Sequence, residues 1–190
     1  MNQMKIAYLI AKTQLGVTEI AGPKHNPKII EYGQSTILQS DTDEESWCSN
    51  FVNWCYIIAG LILNQIYMRK QLTGRYSEGD IEMFIKSAKE LAPKIGMAYD
   101  PTKEAYTAKV YRPTMLGNAR SWQNFSTESD GQEGDIVVLW RETPTSWKGH
   151  VAFLAKKGLT YVNLLGGNQN NKVCYADYSR TRVLSYRKDA

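Results

Sequence analysis

Residues 46–60 read SWCSNFVNWCYIIAG, a mostly apolar run that contains two cysteines. The residues before it, 34–46, are polar and acidic, which is typical of a surface loop. From Trp47 onward, apolar residues recur at the spacing of one helical face. The residues that share this face are Phe51, Trp54, Cys55 and Ile58. We therefore predict a largely buried helix from Trp47 to Gly60, with Cys48 at its start.

The two cysteines of this stretch, Cys48 and Cys55, are seven residues apart. In a helix their Cα atoms would be separated by about 10.5 Å along the axis, whereas a disulfide requires less than about 7 Å. The chain has three cysteines and two histidines and no CxxC pair, so a zinc site is not indicated. We predict no disulfide, no metal and no cofactor. An odd number of cysteines suits a reducing compartment or a lone reactive thiol.

Cys48 and Cys55 differ in the chemistry that their positions allow. A thiol at a helix N-terminus lies at the positive end of the helix dipole, which favours the thiolate. Cys48 has that position, whereas Cys55 lies two turns deeper in the apolar segment and is interpreted as core packing. The acidic residues Asp43, Glu44 and Glu45 would oppose thiolate formation if they pointed at the sulfur of Cys48. Cys48 is the predicted nucleophile, and the alternative is a small core residue.

A catalytic thiol requires a base, and the chain offers His25 and His150. His150 begins the strand-like run HVAFLA, so it can face the start of a helix. His25 lies in a polar loop beside Pro27 and is interpreted as exposed or capping. A third residue must orient the imidazole. We predict Asn168 for this role, because it follows on the next strand in LLGGN; Asn163 and Gln169 are its rivals, and a plain turn asparagine is the alternative.

The remainder of the chain changes from helical to strand-like patterns. Residues 2–15 have helical spacing with Gly16 as a possible C-cap, and Asn26–Pro27 begin a short helix that ends at Gly33. After Asn118, short β-rich runs alternate with turns, which predicts an antiparallel sheet. The runs are IVVLW, HVAFLA, TYVNLL, VCYADY and RVLSYR. Helices followed by strands predict an α+β domain.

Length and composition limit the classes of protein that are compatible with the sequence. The 190 residues suit one domain, and 43% hydrophobic with 22% charged residues is typical of a globular protein. We expect no membrane span, and the first residues do not read as a secretory signal. The net charge is +4, with eight Lys/Arg against two Asp/Glu in 148–190, but there is no nucleic-acid-binding motif. We predict no nucleic acid and no membrane as partners.

Several motifs together resemble one superfamily. The block WCSNFVNWC is similar to the WCxxFVNWC signature of the phage-lysin-like branch of NlpC/P60 and CHAP proteins. Further similarity lies in GVTEIAGPKHNPKIIEY, ARSW, GDIVVLWR, GHVAF and LLGGNQNNKV. The resemblance covers the chain except for about residues 61–117. The signature block is specific, whereas GDIVV and GHVAF alone would be weak.

This resemblance implies a papain-like α+β fold, the NlpC/P60 fold, as a single catalytic domain over 1–190. It implies a cysteine peptidase or amidase that hydrolyses an amide bond in peptidoglycan stem peptides. Carried over by motif, Cys48 is the nucleophile, His150 the general base and then acid, and Asn168 the orienting residue. The third position varies in the superfamily among carboxylate, Asn, Gln and His.

The chain departs from its relatives at about residues 61–117, where we predict a partly helical insertion. SEGDIEMFIKSAKELAP within it has the capping and apolar pattern of one helix. The insertion could line the substrate groove, cover it or contact a partner. Deleting residues around 75–98 is expected to change substrate choice or partner binding more than folding. Loss of all soluble protein on deletion would contradict this.

The biological setting has several alternatives. An antibacterial effector of the type VI kind is made in the cytoplasm without a signal peptide, acts in the periplasm or wall of a target cell, and has an immunity protein as partner. We favour this setting. A phage endolysin would use the same chemistry on its host's wall. A non-catalytic wall-binding module of the same fold and a cytosolic thiol protease or deamidase are rivals from other classes.

Overall fold

The computed structural model describes residues 2–73, 83 and 112–190. Within these residues the chain is an α+β protein, with helices first and a sheet after, as the sequence predicts. The helices are α1 (Gln3–Thr13), α2 (Pro27–Gly33) and α3 (Cys48–Thr73), and a 3-10 helix spans Ala119–Asn124. No helix among the described residues is both long and apolar enough to cross a membrane.

Six strands form one antiparallel sheet, which confirms the predicted sheet type. The strand order is β1-β6-β2-β3-β4-β5, so the two strands that carry IVVLW and HVAFLA pair at the centre. The strands are β1 (Thr127–Glu128), β2 (Ile136–Trp140), β3 (Gly149–Lys157), β4 (Tyr161–Gly166), β5 (Cys174–Ser179) and β6 (Val183–Lys188).

The first two helices each begin after a capping asparagine, of which Asn26 is the one that the sequence predicts. The Asn2 side chain accepts from the N–H of Lys5, and the Asn26 side chain accepts from the N–H of Lys28. These bonds satisfy backbone donors that have no partner within the helix. Pro27 stands at the first helical position, where its missing N–H costs nothing. The α1 helix ends at Thr13, slightly before the predicted Gly16.

The third helix is longer than the sequence predicts. It begins at Cys48 but does not end at Gly60, which lies buried within it, and it continues to Thr73. The apolar side chain of Ile62 remains fully buried, so packing extends the helix past the glycine despite the low helix propensity of that residue. The first part of the predicted insertion at 61–117 therefore belongs to α3. Apart from Met83, the helix predicted in SEGDIEMFIKSAKELAP lies outside the described residues.

The core lies between the helices and one face of the sheet. The first half of α3 is buried on all sides, and alternate residues of β2 and β3, such as Val138 and Val151, belong to the same cluster. The opposite face of the sheet is buried as well, around Val137, Ala152 and Leu164. Burial on both faces places the start of β3, with His150, inside the protein.

Candidate active site

Cys48 is the first residue of α3, as predicted, and its residue surface is only 4% exposed. Its exposed part lines a cavity of about 430 Å³. The wall opposite the helix start comes from residues 117–119 and from the loop between β2 and β3. The thiol is therefore buried in the fold but open to a cavity of the size that binds small molecules or peptide segments.

The backbone around the sulfur brings Cys48 next to the strand that carries His150. Burial raises the pKa of the Cys48 thiol, because a thiolate is poorly solvated there. The N–H groups of Val151 and Ser49 and the positive charge of Arg141 oppose this rise. The Val151 N–H belongs to the residue directly after His150. The resting thiol is therefore neutral, with donors directed at the atom where negative charge would form.

His150 is buried and bound by an amide. Its Nε2 lies 3.0 Å from Oε1 of Gln169. The Gln169 amide nitrogen donates to the carbonyl oxygens of Leu164 and Cys174, at 3.2 and 2.5 Å, so the amide oxygen must face the imidazole. This network assigns the proton to Nε2, because an amide oxygen can only accept. The other ring nitrogen, Nδ1, is then free to accept a proton.

The predicted orienting residue, Asn168, is not the one that binds the imidazole. Its side chain donates to the carbonyl oxygen of Glu45 at 3.5 Å, and its backbone has φ 54°, in the left-handed region. Asparagine tolerates this conformation, which is typical of turns. The left-handed turn directs the next side chain, Gln169, to His150. Gln169, a rival in the sequence interpretation, thus replaces Asn168 as the residue that holds the ring.

Two glycines allow this turn to approach the start of α3. A Cβ atom on Gly167 would lie 2.5 Å from the Trp47 ring and 2.7 Å from Cβ of Phe51. A Cβ on Gly166 would lie 2.7 Å from Cβ of Ala152. Real carbon atoms do not approach so closely, so only glycine fits at these positions. The LLGGNQ segment therefore brings Gln169 against β3 and packs directly on the helix that begins with Cys48.

Burial also determines the charge state of His150. It lowers the pKa of the imidazole to about 4, because the protonated ring would lose its hydration. The bond to Gln169 opposes this effect, and the charges of Arg141 and Arg182 add to it. His150 is therefore neutral at pH 7, like Cys48. The ring of Tyr178 lies 5.5 Å from the imidazole and covers one side of it.

Cys55 lies in the core, as predicted. It is fully buried, and burial raises the pKa of its thiol well above the ordinary value. Cys48, Cys55 and Cys174 are all free thiols. Among residues 2–73, 83 and 112–190, no group of three His, Cys, Asp or Glu side chains could hold a metal. The described residues thus contain one cysteine that is both at a helix start and open to a cavity.

Asp43 is one of the three acidic residues that precede Cys48, and its carboxylate is bound to groups other than the thiol. Its carboxylate accepts from the N–H groups of Ile20 and Asn26 and lies 2.8 Å from Nδ1 of His25. Burial opposes ionisation, but these hydrogen bonds hold the pKa of Asp43 below its ordinary value. His25 is half-buried and belongs to this pair rather than to the site at Cys48.

Polar residues on α3 fix the opposite wall of the cavity. Ser49 donates to the carbonyl oxygen of Leu116 at 2.6 Å. The Asn53 amide oxygen accepts from the N–H of Met115 at 2.7 Å, and its nitrogen donates to Ser49 and Leu116 carbonyls. The Asn50 amide oxygen accepts from the hydroxyl of Thr36, which joins the same helix to the segment after α2. The chain at 114–118, which leads into the cavity wall, is therefore fastened to the same helix that carries Cys48.

Three further residues that line the cavity were not predicted from the sequence. Arg141 and Arg182 contribute positive charge, and Trp147 lies at the rim with 74% of its surface exposed. The sequence signals for two of them are the Trp140–Arg141 pair at the end of GDIVVLWR and the tryptophan in the loop that follows. These residues become neighbours only when β2, β3 and the segment after β5 fold together.

The fold and the site together define an α+β protein with a cavity-facing cysteine at a helix start and a neutral, amide-bound histidine on the adjoining strand. Comparison of the chain with protein-family models, curated proteins and solved structures gives no match. The functional assignment therefore depends on the sequence motifs and on the geometry of this site.

Proposed function

We propose that this chain is a peptidoglycan hydrolase of the papain-like NlpC/P60 and CHAP type, which cleaves an amide bond in a wall stem peptide. The observation that carries the proposal is the position of Cys48. It is the first residue of a helix whose first half is buried, and it lines a cavity. Its sulfur accepts a hydrogen bond from the N–H of Val151, the residue after His150. The WCSNFVNWC signature supports the same assignment.

In the first step, His150 acts as the general base. The Nδ1 atom accepts the thiol proton of Cys48 while the sulfur attacks the carbonyl carbon of the substrate. Because both groups are neutral at rest, proton transfer accompanies the attack rather than preceding it. Backbone N–H groups at the start of α3, including that of Cys48, stabilise the oxygen that becomes negative.

In the second step, the intermediate breaks down. The protonated His150 gives its proton to the leaving amine, and the acyl group remains on the sulfur of Cys48. The neutral imidazole then removes a proton from water, which attacks the thioester and releases the acid, and the protonated ring returns its proton to the sulfur of Cys48. Gln169 accepts from Nε2 throughout, so it keeps the ring oriented and cannot itself take up the proton.

The nucleophile assignment is tested with purified sacculi and mass spectrometry of the released fragments. Cys48→Ala should abolish cleavage, with a loss of at least about a thousandfold, because it removes the sulfur that forms the acyl intermediate. Cys55→Ala is the matched control, since it removes a thiol from the same helix without touching the cavity. It should retain activity after correction for the fraction folded.

Two other outcomes would contradict the proposal. Cleavage that survives Cys48→Ala but is lost in Cys55→Ala would overturn the assignment of the nucleophile. Binding to wall fragments without turnover by the wild-type protein would favour the non-catalytic module. The fragments also identify the amide bond that is cut.

We further propose that the protein acts in the periplasm or wall of a bacterium as an antibacterial effector, with an immunity protein as partner. The phage endolysin is the alternative, with the same reaction. Expression directed to the periplasm should lyse the producing cell, whereas cytoplasmic expression of the same chain should not. Toxicity of the cytoplasmic form that depends on Cys48 would instead favour a protease or deamidase acting on proteins.

A further inference from the structure

The cavity at Cys48 has an unbalanced charge. Three cationic side chains and one carboxylate line it: Arg141, Lys148, Arg182 and Glu142. Lys148 and Glu142 form an ion pair at 2.5 Å, so they largely neutralise each other. The guanidinium groups of Arg141 and Arg182 remain in the same cavity lining as Cys48 without a carboxylate partner among the described residues.

Arg182 is held in place before any ligand binds. Its Nε and Nη2 atoms donate to the carbonyl oxygen of Trp140 at 3.2 and 3.1 Å. Its guanidinium lies over the rings of Trp140 and Tyr178, at 5.7 and 5.4 Å. Stacking on two rings restricts the side chain, so little entropy is lost when the remaining N–H groups bind an anion. Tyr178 also contacts His150, which places this cation close to the reacting groups.

Arg141 is the complementary group. It follows directly after β2, is exposed, and its guanidinium makes no hydrogen bond or ion pair with any other described residue. Its charge acts on both Cys48 and His150, so it too lies near the reacting groups. Its backbone is fixed by a hydrogen bond from its N–H to the Lys148 carbonyl oxygen at 3.2 Å. The side chain is thus free to bind on an anchored backbone.

We infer that the cavity binds a peptide with a free carboxylate close to the scissile amide, and that Arg141 and Arg182 recognise this carboxylate. The inference rests on the proposed function for the presence of a scissile amide. Guanidinium groups are suited to it because their planar array of donors matches the two oxygens of a carboxylate. The carboxylate belongs either to a side branch within the peptide or to its C-terminus.

The test uses synthetic wall stem peptides in matched forms, with the glutamyl carboxylate free or amidated and the C-terminal carboxylate free or amidated. Amidation removes the charge but keeps the size. Amidation at the recognised position should lower kcat/KM of the wild-type protein by about ten- to a hundredfold, because a hydrogen bond to a charged group is lost. Comparison of the two positions identifies the source of the carboxylate.

Arginine variants show whether these two residues read the charge. Arg141→Gln and Arg182→Gln should each reduce the discrimination between free and amidated peptides, and the double variant should abolish it. Arg180→Gln is the matched control. Arg180 lies two residues before Arg182, but its guanidinium donates to the carbonyls of Gly158 and Leu159, outside the cavity. It should discriminate like the wild type. Unchanged discrimination in the double variant would overturn the inference.

A binding measurement separates this inference from the proposed reaction. Cys48→Ala protein is titrated with the same peptides, with and without the two arginine substitutions. A preference for the free carboxylate that disappears with the arginines supports the binding site, even if the wild-type protein cleaves none of the peptides. Equal affinity for all forms overturns the inference. Absence of cleavage with a retained binding preference counts against the hydrolase alone. Arg141→Gln is at an exposed position, so a folding defect should not obscure its result.

Discussion

The two histidines of this chain have opposite surroundings. His150 is buried and bound to the neutral amide of Gln169, whereas His25 is half-buried and bound to the carboxylate of Asp43. A carboxylate is the familiar partner of a catalytic histidine, yet here it belongs to the histidine outside the cavity. The comparison teaches that the type of partner does not decide which histidine is the candidate base. The candidate is His150 because its strand adjoins the cavity-facing thiol of Cys48.

The difference also separates two physical tasks. The Asp43 carboxylate accepts from the N–H groups of Ile20 and Asn26 and pairs with His25. It therefore fastens its own loop to the segment 20–26. Gln169 fixes the ring of His150 by hydrogen bonds without adding charge to a buried site, where an unpaired carboxylate would be costly. The first arrangement serves stability, and the second serves orientation.

Among the changes that test this comparison of the two histidines, the largest effect is expected at the amide partner. Gln169→Leu removes the acceptor of the His150 bond, so the ring can rotate and its proton position is no longer fixed. We expect kcat/KM for wall peptides to fall by about a hundred- to a thousandfold while the protein remains folded. Steady-state kinetics and circular dichroism measure the two quantities. Asn168→Gly is the matched control, because glycine keeps the left-handed turn. Loss of activity in Asn168→Gly with little effect of Gln169→Leu would restore Asn168 as the orienting residue.

A smaller effect, on stability rather than activity, is expected at the carboxylate partner. Asp43→Ala removes the acceptor of the Ile20 and Asn26 N–H groups and the partner of His25. The free energy of unfolding should fall by about 2–3 kcal/mol, as measured by urea denaturation. Glu44→Ala, at an exposed neighbouring position, should change it by less than about 0.5 kcal/mol. If Asp43→Ala lowered kcat/KM strongly with unchanged stability, the assignment of separate tasks would be wrong.

The pH dependence should show the smallest change over the neutral range. The proposed mechanism requires the base form of His150, and burial lowers the pKa of this residue to about 4. The ring is therefore protonated only below that pH, so kcat/KM should remain nearly constant from pH 7 to about 5 and fall near pH 4. Gln169→Glu should move this fall toward neutral pH, because a carboxylate favours the imidazolium. An acid limb near pH 6.5 in the wild-type protein would contradict a neutral, buried His150.

Local signals in the sequence predict much of the fold. The Asn26–Pro27 cap and the β-rich runs after Asn118 correspond to α2 and to the strands of the sheet, because a helix cap and a β-rich run between turns are local features of the sequence. The predicted end of α3 at Gly60 was wrong, because burial of Gly60 and of residues beyond it outweighs the weak helix propensity of glycine. That outcome depends on packing partners far along the chain.

The site shows the same limit. Cys48 and His150 could be predicted to lie near each other from their positions on a helix start and a strand start. The exchange of Asn168 for Gln169 could not, because the sign of φ at Asn168 decides which side chain turns inward. Arg141 and Arg182 are likewise joined only by the pairing of β2 with β3 and β6.

The polar residues on α3 also determine how much of the chain is needed to transfer this site to another protein. Ser49 and Asn53 bind the chain at 114–118, more than sixty positions later. The helix therefore positions the opposite wall of the cavity as well as the thiol. A graft of the nine-residue signature into another scaffold would transfer the cysteine without the surface that faces it. The smallest unit that can be moved between proteins is the helix together with the segment it fastens.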